Sequence, residues 1–188
     1  MRKKDDEKQK RIKQAVMETI LQEGFAGASI SKIAKKAGVS PATVYIYYDN
    51  KEAMLRDIYL EYSEDSYLYL SECIEPEMSA ADLIRTMMAS YYRFIQENRE
   101  VFSFIEQFTQ CPALASRCSE ERNMCRLLDA IDERKEKGEI RDYSDRSIAS
   151  VLFAPVKAVA AESHVSEEER QKQLEEIIDL IERALLLS

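Results

Sequence analysis

Apolar residues recur along most of the chain at intervals of three and four positions, the spacing of an α-helix with one buried face. The first stripe, from Lys8 to Gly24, ends at a glycine, which commonly terminates helices. Two strong stripes near the C-terminus span Ile148–Val159 and Leu174–Leu185. Pro155 lies within the first of them, so we expect that helix to kink or to end early.

Composition supports a helical fold. The chain of 188 residues contains only four glycines and four prolines. Folds rich in β-strands need many turns, and turns depend on these residues. We therefore predict an all-α protein of about nine helices, large enough for a substantial core.

Two short helices are predicted between Ser29 and Tyr48, joined by Gly38-Val39-Ser40. Ser29 or Ser31 can cap the first helix, and Ser40 followed by Pro41 is typical of the start of the second. Glycine at the turn permits a left-handed backbone conformation. Such a pair has the form of a helix-turn-helix, whose second helix enters the DNA major groove.

These residues resemble the TetR family of transcriptional regulators. The matching elements are Ile33-Ala34, Ala37-Gly38-Val39-Ser40, Thr43-Val44-Tyr45, Tyr47-Tyr48 and Lys51-Glu52-Ala53. The family typically has Tyr-x-Tyr-Phe before the lysine, and here Tyr48 takes the place of the phenylalanine. The resemblance implies a three-helix DNA-binding domain at residues 1–50 and a larger helical ligand-sensing and dimerisation domain at residues 51–188.

The candidate DNA-binding residues lie in and beside the two short helices. They are Ser31, Lys32, Ala42, Thr43, Tyr45, Tyr47 and Lys51. Lys51 also stands at a predicted helix N-terminus, where free N–H groups favour an anion such as phosphate. For Tyr45 and Tyr48, a place in the core is the alternative.

The second short helix contains neither lysine nor arginine. The common arginine–guanine contact therefore cannot come from it. We predict that the methyl groups of Ala42 and Thr43 contact thymine methyls, aided by tyrosine hydroxyls and by DNA shape.

Charge divides the chain unevenly. The net charge is -8, yet residues 1–56 carry 12 basic and 7 acidic side chains, whereas residues 57–188 carry 15 and 28. A basic head on an acidic body suggests a local anionic partner. Seven basic residues form the N-terminal arm: Arg2, Lys3, Lys4, Lys8, Lys10, Arg11 and Lys13. This arm either contacts phosphates and the minor groove or is a solubilising tail.

The resemblance also implies a homodimer that senses a small apolar or amphipathic effector. The candidate dimer interface comprises Val151, Leu152, Val156, Val159, Ile177, Ile178, Ile181 and Leu185. The candidate effector pocket comprises Met87, Tyr91, Phe104, Phe108, Met124 and Leu128. Core packing within one chain is the alternative for both groups. The predicted function is that of a repressor that binds a palindromic operator as a dimer and is released by its effector.

Other classes of function find less support in the sequence. A single histidine, His164, and the absence of a Gly-rich phosphate loop or nucleophile elbow argue against an enzyme. No Cys-x-x-Cys occurs, so we expect no metal or other cofactor. Cys111, Cys118 and Cys125 recur every seven residues, which leaves a thiol-based redox regulator as an alternative. A helical protein-interaction adaptor is another.

Location is inferred from the lack of long apolar stretches. The longest run without a charged residue spans only Ala37 to Tyr48, whereas a transmembrane helix needs about 20 apolar residues. No apolar core follows the basic N-terminus, so we expect neither a secretory signal nor a membrane partner. These observations predict a cytoplasmic protein with reduced cysteines.

Overall fold

The computed structural model describes residues 2–109 and 122–187. Nine helices lie in these ranges, which confirms the predicted all-α fold. They are α1 (Arg2–Gly27), α2 (Ile30–Ala37), α3 (Pro41–Tyr47), α4 (Lys51–Glu72), α5 (Ala80–Glu97), α6 (Arg99–Thr109), α7 (Arg122–Glu136), α8 (Asp145–Ala161) and α9 (Glu167–Leu185). An antiparallel bridge between Ile140 and Leu186 joins the α7–α8 loop to the residue after α9.

The chain forms two compact units. The first contains the residues up to Ser63 and the segment that begins at Glu100; the second contains Glu64–Arg99 and the described residues from Arg122 onward. The predicted domain boundary at residue 50 therefore falls inside the first unit. The cause is that the first part of α4 shares an apolar core with α1, α2, α3 and α6.

That core is built from the predicted stripe of α1 and from two aromatic residues of α6. Ile12, Val16 and Ile20 are fully buried, as predicted for one face of α1. Phe104 and Phe108 of α6 are buried in the same cluster. The candidate DNA-binding residues lie on α2, α3 and α4, and all three helices pack into this same core.

Caps and glycines set the bounds of the short helices. The hydroxyl of Ser29 accepts from the backbone N–H of Lys32 at 3.3 Å, and that of Ser40 accepts from Thr43 at 3.1 Å. Gly38 closes α2 in the left-handed region, with φ 66° and ψ 37°, where a side chain would cause strain. The predicted helix-turn-helix is therefore present, with Ser29 rather than Ser31 as its first cap.

The second unit packs α5, α8 and α9 together. Ser79, Ser144 and Ser166 cap these three helices in the same way as the serines of the first unit. The helix that contains Pro155 runs on to Ala161, so the expectation that it ends early is wrong. Burial of its apolar face on both sides of the proline compensates for the backbone hydrogen bond that proline cannot make.

None of the helices within residues 2–109 and 122–187 combines the length and the apolar character that a bilayer span requires.

Candidate nucleic-acid interface

Helix α3 buries one residue in the core and exposes both apolar and polar side chains on its outer face. Val44 is fully buried, whereas Tyr45 is 55% exposed and Ile46 is 78% exposed. Ala42, one turn earlier on the same side, is also exposed. The exposure of Tyr45 excludes a core role for this side chain. The face that α3 leaves to solvent is therefore uncharged, with methyl groups and one phenol hydroxyl.

Thr43 lies at the start of α3 beside its cap. Its hydroxyl is 2.9 Å from that of Ser40, so one of the two donates to the other. The side chain of Thr43 is half-buried, which limits its rotation. This contact and the partial burial restrict the methyl group and the hydroxyl at the start of α3.

The two tyrosines at the end of α3 have different environments. Tyr48 is only 6% exposed and belongs to the core of the first unit. Tyr47 is half-buried, and its hydroxyl donates to a carboxylate oxygen of Asp5 at 2.5 Å. This hydrogen bond is the main reason that the pKa of Tyr47 is raised. Tyr47 is therefore a protonated donor whose proton already has an acceptor within the chain.

Two candidate lysines also have partners within the chain. The ammonium of Lys51, at the start of α4, donates to the backbone oxygen of Phe25 at 2.7 Å. Lys32 donates to the backbone oxygen of Gly27 at 3.0 Å and pairs with Glu23 at 2.5 Å. Both side chains join the end of α1 to the following helices. Ser31, beside Lys32, is exposed.

The basic N-terminal arm is helical rather than an extended tail, because α1 begins at Arg2. Lys10 and Arg11 are exposed, and Lys13 forms an ion pair with Glu61 of α4. Lys36 of α2 pairs with Glu18 of α1 at 3.2 Å. A hydrogen bond from Gln14, together with Lys36, lowers the pKa of that glutamate. Lys13 and Lys36 are thus paired within the chain, whereas Lys10 and Arg11 are exposed.

The residues predicted for the dimer interface divide into two groups. Six of them are buried within the chain itself: Leu152, Val156, Val159, Ile178, Ile181 and Leu185. Their stripe is explained by the core of the second unit, where α8 and α9 pack on α5. Val151 is 39% exposed and Ile177 is half-buried. On α9, Leu180 lies three positions after Ile177 and is 64% exposed.

The residues predicted for the effector pocket do not form one cluster within a unit. Phe104 and Phe108 belong to the core of the first unit, where Phe108 stacks on Tyr59 at a centroid distance of 4.8 Å. The other four belong to the second unit: Met87, Tyr91, Met124 and Leu128. Met87 is fully buried, and Tyr91 contacts Phe153 edge to face.

A cavity of about 260 Å³ opens elsewhere in the second unit. Its lining combines an apolar wall with several charges: Ile74, Glu75, Pro76, Leu83, Arg126, Asp129, Ala130, Glu133 and Arg134. Arg134 is buried, and its guanidinium donates to the backbone oxygens of Pro76 and Met78. That arginine fixes the α4–α5 loop to α7 on one side of the cavity.

The structure describes two of the four cysteines, so the redox alternative stays a prediction. Among the described residues, Cys73 is a half-buried free thiol and Cys125 an exposed one. Cys111 and Cys118 lie outside the described residues, so the predicted seven-residue series is not tested. Within the described part of the chain, His, Cys, Asp and Glu side chains form no group suited to hold a metal ion.

Two residues of this surface were missed at the level of sequence. Ile46 is the most exposed large apolar side chain on α3, and its spacing of four from Ala42 could have indicated a shared face. Asp5 contacts Tyr47 across 42 positions. No local pattern predicts that contact, because it depends on how α1 crosses α3.

Comparison with known proteins agrees with this geometry. Residues 12–58 match the family model described as bacterial regulatory proteins, tetR family. Over 155 residues the chain is 26% identical to the fatty acid metabolism regulator protein of Bacillus subtilis (strain 168). The matching stretch covers 78% of this chain and 80% of that protein. Over 55 residues it is 42% identical to the HTH-type transcriptional regulator YvdT of the same organism, which covers 29% of this chain and 28% of YvdT.

Solved structures extend the similarity to the whole chain. A TetR family transcription regulator from Marinobacter aquaeolei VT8 is similar over the full length of both chains, with a TM-score of 0.81 and 26% identity. A TetR-family transcriptional regulator from Haemophilus influenzae Rd shares the fold over the same extent, with a TM-score of 0.79. These relatives are transcription regulators and not enzymes. The chain therefore belongs to the TetR family of transcriptional regulators, with a helix-turn-helix DNA-binding unit at its N-terminus.

Proposed function

We propose that the chain is a repressor that binds a palindromic operator as a homodimer and releases it when a small apolar or amphipathic effector binds. The observation that carries this proposal is the outer face of α3. Ala42, Tyr45 and Ile46 are exposed on that helix, whereas its one fully buried residue, Val44, anchors it to the core. The methyl groups and the phenol hydroxyl on this face suit the thymine methyls and hydrogen-bonding groups of the major groove.

The chemistry of that face favours readout of A·T base pairs. Side chains that present methyl groups contact the thymine methyl, which marks A·T pairs in the major groove. The amino groups and ring nitrogens of the other bases are best read by charged or amide side chains, and α3 carries none of these. We therefore expect half-sites rich in A and T, with Lys32 and Lys51 contributing phosphate contacts.

A homodimer would place two α3 helices on successive major grooves, about 34–36 Å apart. The support comes from apolar side chains that α8 and α9 leave to solvent. Val151 and Ala154 are exposed on α8; Leu180 and Ala184 are exposed on α9, where Ile177 is half-buried. Exposed apolar residues next to small ones suit the close helix packing of a two-fold interface.

The effector would bind in the second unit and act by a shift of population between two conformers. The cavity beside Arg134 offers an apolar wall formed by Ile74, Pro76 and Leu83. Its volume of about 260 Å³ is just below that of most ligand pockets, so it suits a very small molecule or one end of a longer one. An amphipathic effector also accords with the relative from Bacillus subtilis, whose name assigns it to fatty acid metabolism.

Binding of the Ala42→Glu variant to DNA tests this function most simply. Ala42 is the second residue of α3, where a negative charge favours the helix. The variant therefore keeps its fold, yet it places a carboxylate where the DNA would lie. In a fluorescence anisotropy titration with the DNA upstream of its own gene, we expect affinity to fall at least about 100-fold.

The matched control is Lys172→Glu, because that lysine is exposed on α9 in the second unit. It changes the net charge in the same direction and should leave affinity within about twofold. Equal losses in both variants would show that only net charge matters, which would contradict readout by α3. Unchanged affinity in Ala42→Glu would contradict it as well.

A further inference from the structure

The first turn of α1 brings a carboxylate to the end of the DNA-reading helix. Tyr47 is the last residue of α3, and its hydroxyl donates to Oδ1 of Asp5 at 2.5 Å. The backbone oxygen of Asp5 lies 3.5 Å from the same hydroxyl. The contact joins residues 42 positions apart, so it is a product of the tertiary fold and not of local geometry.

Tyr47 differs from the two lysines of the interface in the number of protons that it can donate. Lys51 donates to Phe25, and Lys32 to Gly27 and Glu23. An ammonium group has three donors, so a lysine can keep an internal partner and still reach a phosphate. A phenol has one proton, so a hydrogen bond from Tyr47 to Asp5 and one to DNA exclude each other.

The position of Tyr47 on α3 indicates which DNA group would compete for that proton. The N-terminal residues of a reading helix contact base edges, and Tyr47 lies at the opposite end. Its expected neighbour is therefore the phosphate backbone, whose oxygens can only accept. A phosphate that accepts from Tyr47 would lie beside the Asp5 carboxylate, and two such anions repel each other.

Resting on the proposed DNA-binding function, we propose that Asp5 occupies the place of a DNA phosphate on Tyr47 and thereby limits the affinity of the free protein for DNA. DNA binding breaks the Asp5–Tyr47 hydrogen bond, and the phenol O–H keeps its proton and donates to a phosphate oxygen instead. Asp5 is thus an affinity-determining residue that acts through Tyr47. On this proposal the carboxylate of Asp5, within a basic arm, lowers the affinity of the protein for DNA of any sequence.

A double-mutant cycle tests the proposal with four proteins: the wild type, Asp5→Ala, Tyr47→Phe and the double variant. Glu7→Ala is the matched control, because Glu7 is an exposed acidic residue on α1, two positions after Asp5. Affinities are measured by anisotropy at about 0.1 M salt. Two duplexes are used, the upstream DNA that contains the operator and a random-sequence duplex of equal length.

We expect Asp5→Ala to bind both duplexes about tenfold more tightly than the wild type. Glu7→Ala should gain only about twofold, the effect of removing one exposed negative charge. In the Tyr47→Phe background, Asp5→Ala should likewise gain only about twofold, because no phenol proton remains to compete for. The coupling between Asp5 and Tyr47 is then about fivefold.

Two results would overturn the proposal. If Asp5→Ala matches Glu7→Ala in both backgrounds, Asp5 acts only through its charge. If Asp5→Ala weakens DNA binding when Tyr47 is unchanged, Asp5 positions Tyr47 for DNA instead of competing with DNA for its proton. The random duplex separates this inference from the proposed function: equal wild-type affinity for both duplexes defeats a specific regulator, while the cycle on either duplex still decides the role of Asp5.

Discussion

Helix α3 and the pair α8–α9 differ in whether their apolar side chains are exposed or buried. Helix α3 has only seven residues, and it exposes apolar side chains that a core could have used. Helices α8 and α9 have longer apolar stripes, yet most of those residues are buried within the chain. On the proposed function, the short helix carries its DNA contacts on its exposed surface. The long helices show mainly their own packing, and the proposed dimer contacts lie beside the buried stripe.

Phe108→Ala should have the largest effect of the changes that test this contrast. Phe108 was a candidate for the effector pocket, but it is buried between Phe25 and Tyr59 in the first unit. Removing a ring of this kind costs about 3–5 kcal/mol of unfolding free energy. We expect urea denaturation to report that loss.

The control for Phe108 is Ile46→Ala on the exposed face of α3. At 78% exposure, its truncation should change the unfolding free energy by less than about 0.5 kcal/mol. A stability loss below about 1 kcal/mol in Phe108→Ala would indicate a residue that lines a cavity and is not part of a tight core.

Leu180→Arg should have the next largest effect, on assembly rather than on folding. Leu180 is 64% exposed within one chain, so an arginine there is tolerated by the monomer. At the centre of a two-fold interface the same change places two like charges together, and we expect the dimer to dissociate at least about 100-fold more readily.

Sedimentation equilibrium measures this change directly, with Lys172→Glu as the control on the polar side of α9. A dimer of unchanged stability in Leu180→Arg would show that this exposed face is not the interface. Monomeric wild-type protein at micromolar concentration would contradict the proposed homodimer altogether.

Loss of a helix cap should have the smallest effect and should distinguish the units by function. Ser40 caps α3 and Ser166 caps α9, each through its hydroxyl. Replacing either serine by alanine should cost about 1 kcal/mol of unfolding free energy. Only Ser40→Ala should also weaken DNA binding, because it loosens the start of the reading helix. Equal loss of DNA affinity in both variants would argue against a local role for α3.

Much of the fold could be predicted because the information is local. The stripe Ile12, Val16 and Ile20, the caps at Ser29 and Ser40, and the turn at Gly38 all depend on residues within a few positions of each other. Their backbone geometry follows from hydrogen bonds and steric limits that a short segment settles by itself.

The remainder depended on contacts between distant segments. Sequence cannot tell whether Phe108 packs on α1 and α4 or lines a cavity, because aromatic residues suit both. Adjacent apolar residues such as Val151 and Leu152 point in different directions on a helix, and only the packed structure shows which of them is buried. The Asp5–Tyr47 contact is the extreme case, since it joins two helices that the sequence does not relate.

Selection of binding sites from a randomised duplex tests the central claim most directly. The wild type and Thr43→Ala are each selected against the same library at fixed salt. We expect the wild type to recover an inverted repeat with half-sites rich in A·T pairs, and Thr43→Ala to lose preference at one base pair of each half-site. Half-sites dominated by guanine, or no enriched sequence at all, would contradict readout by the uncharged face of α3.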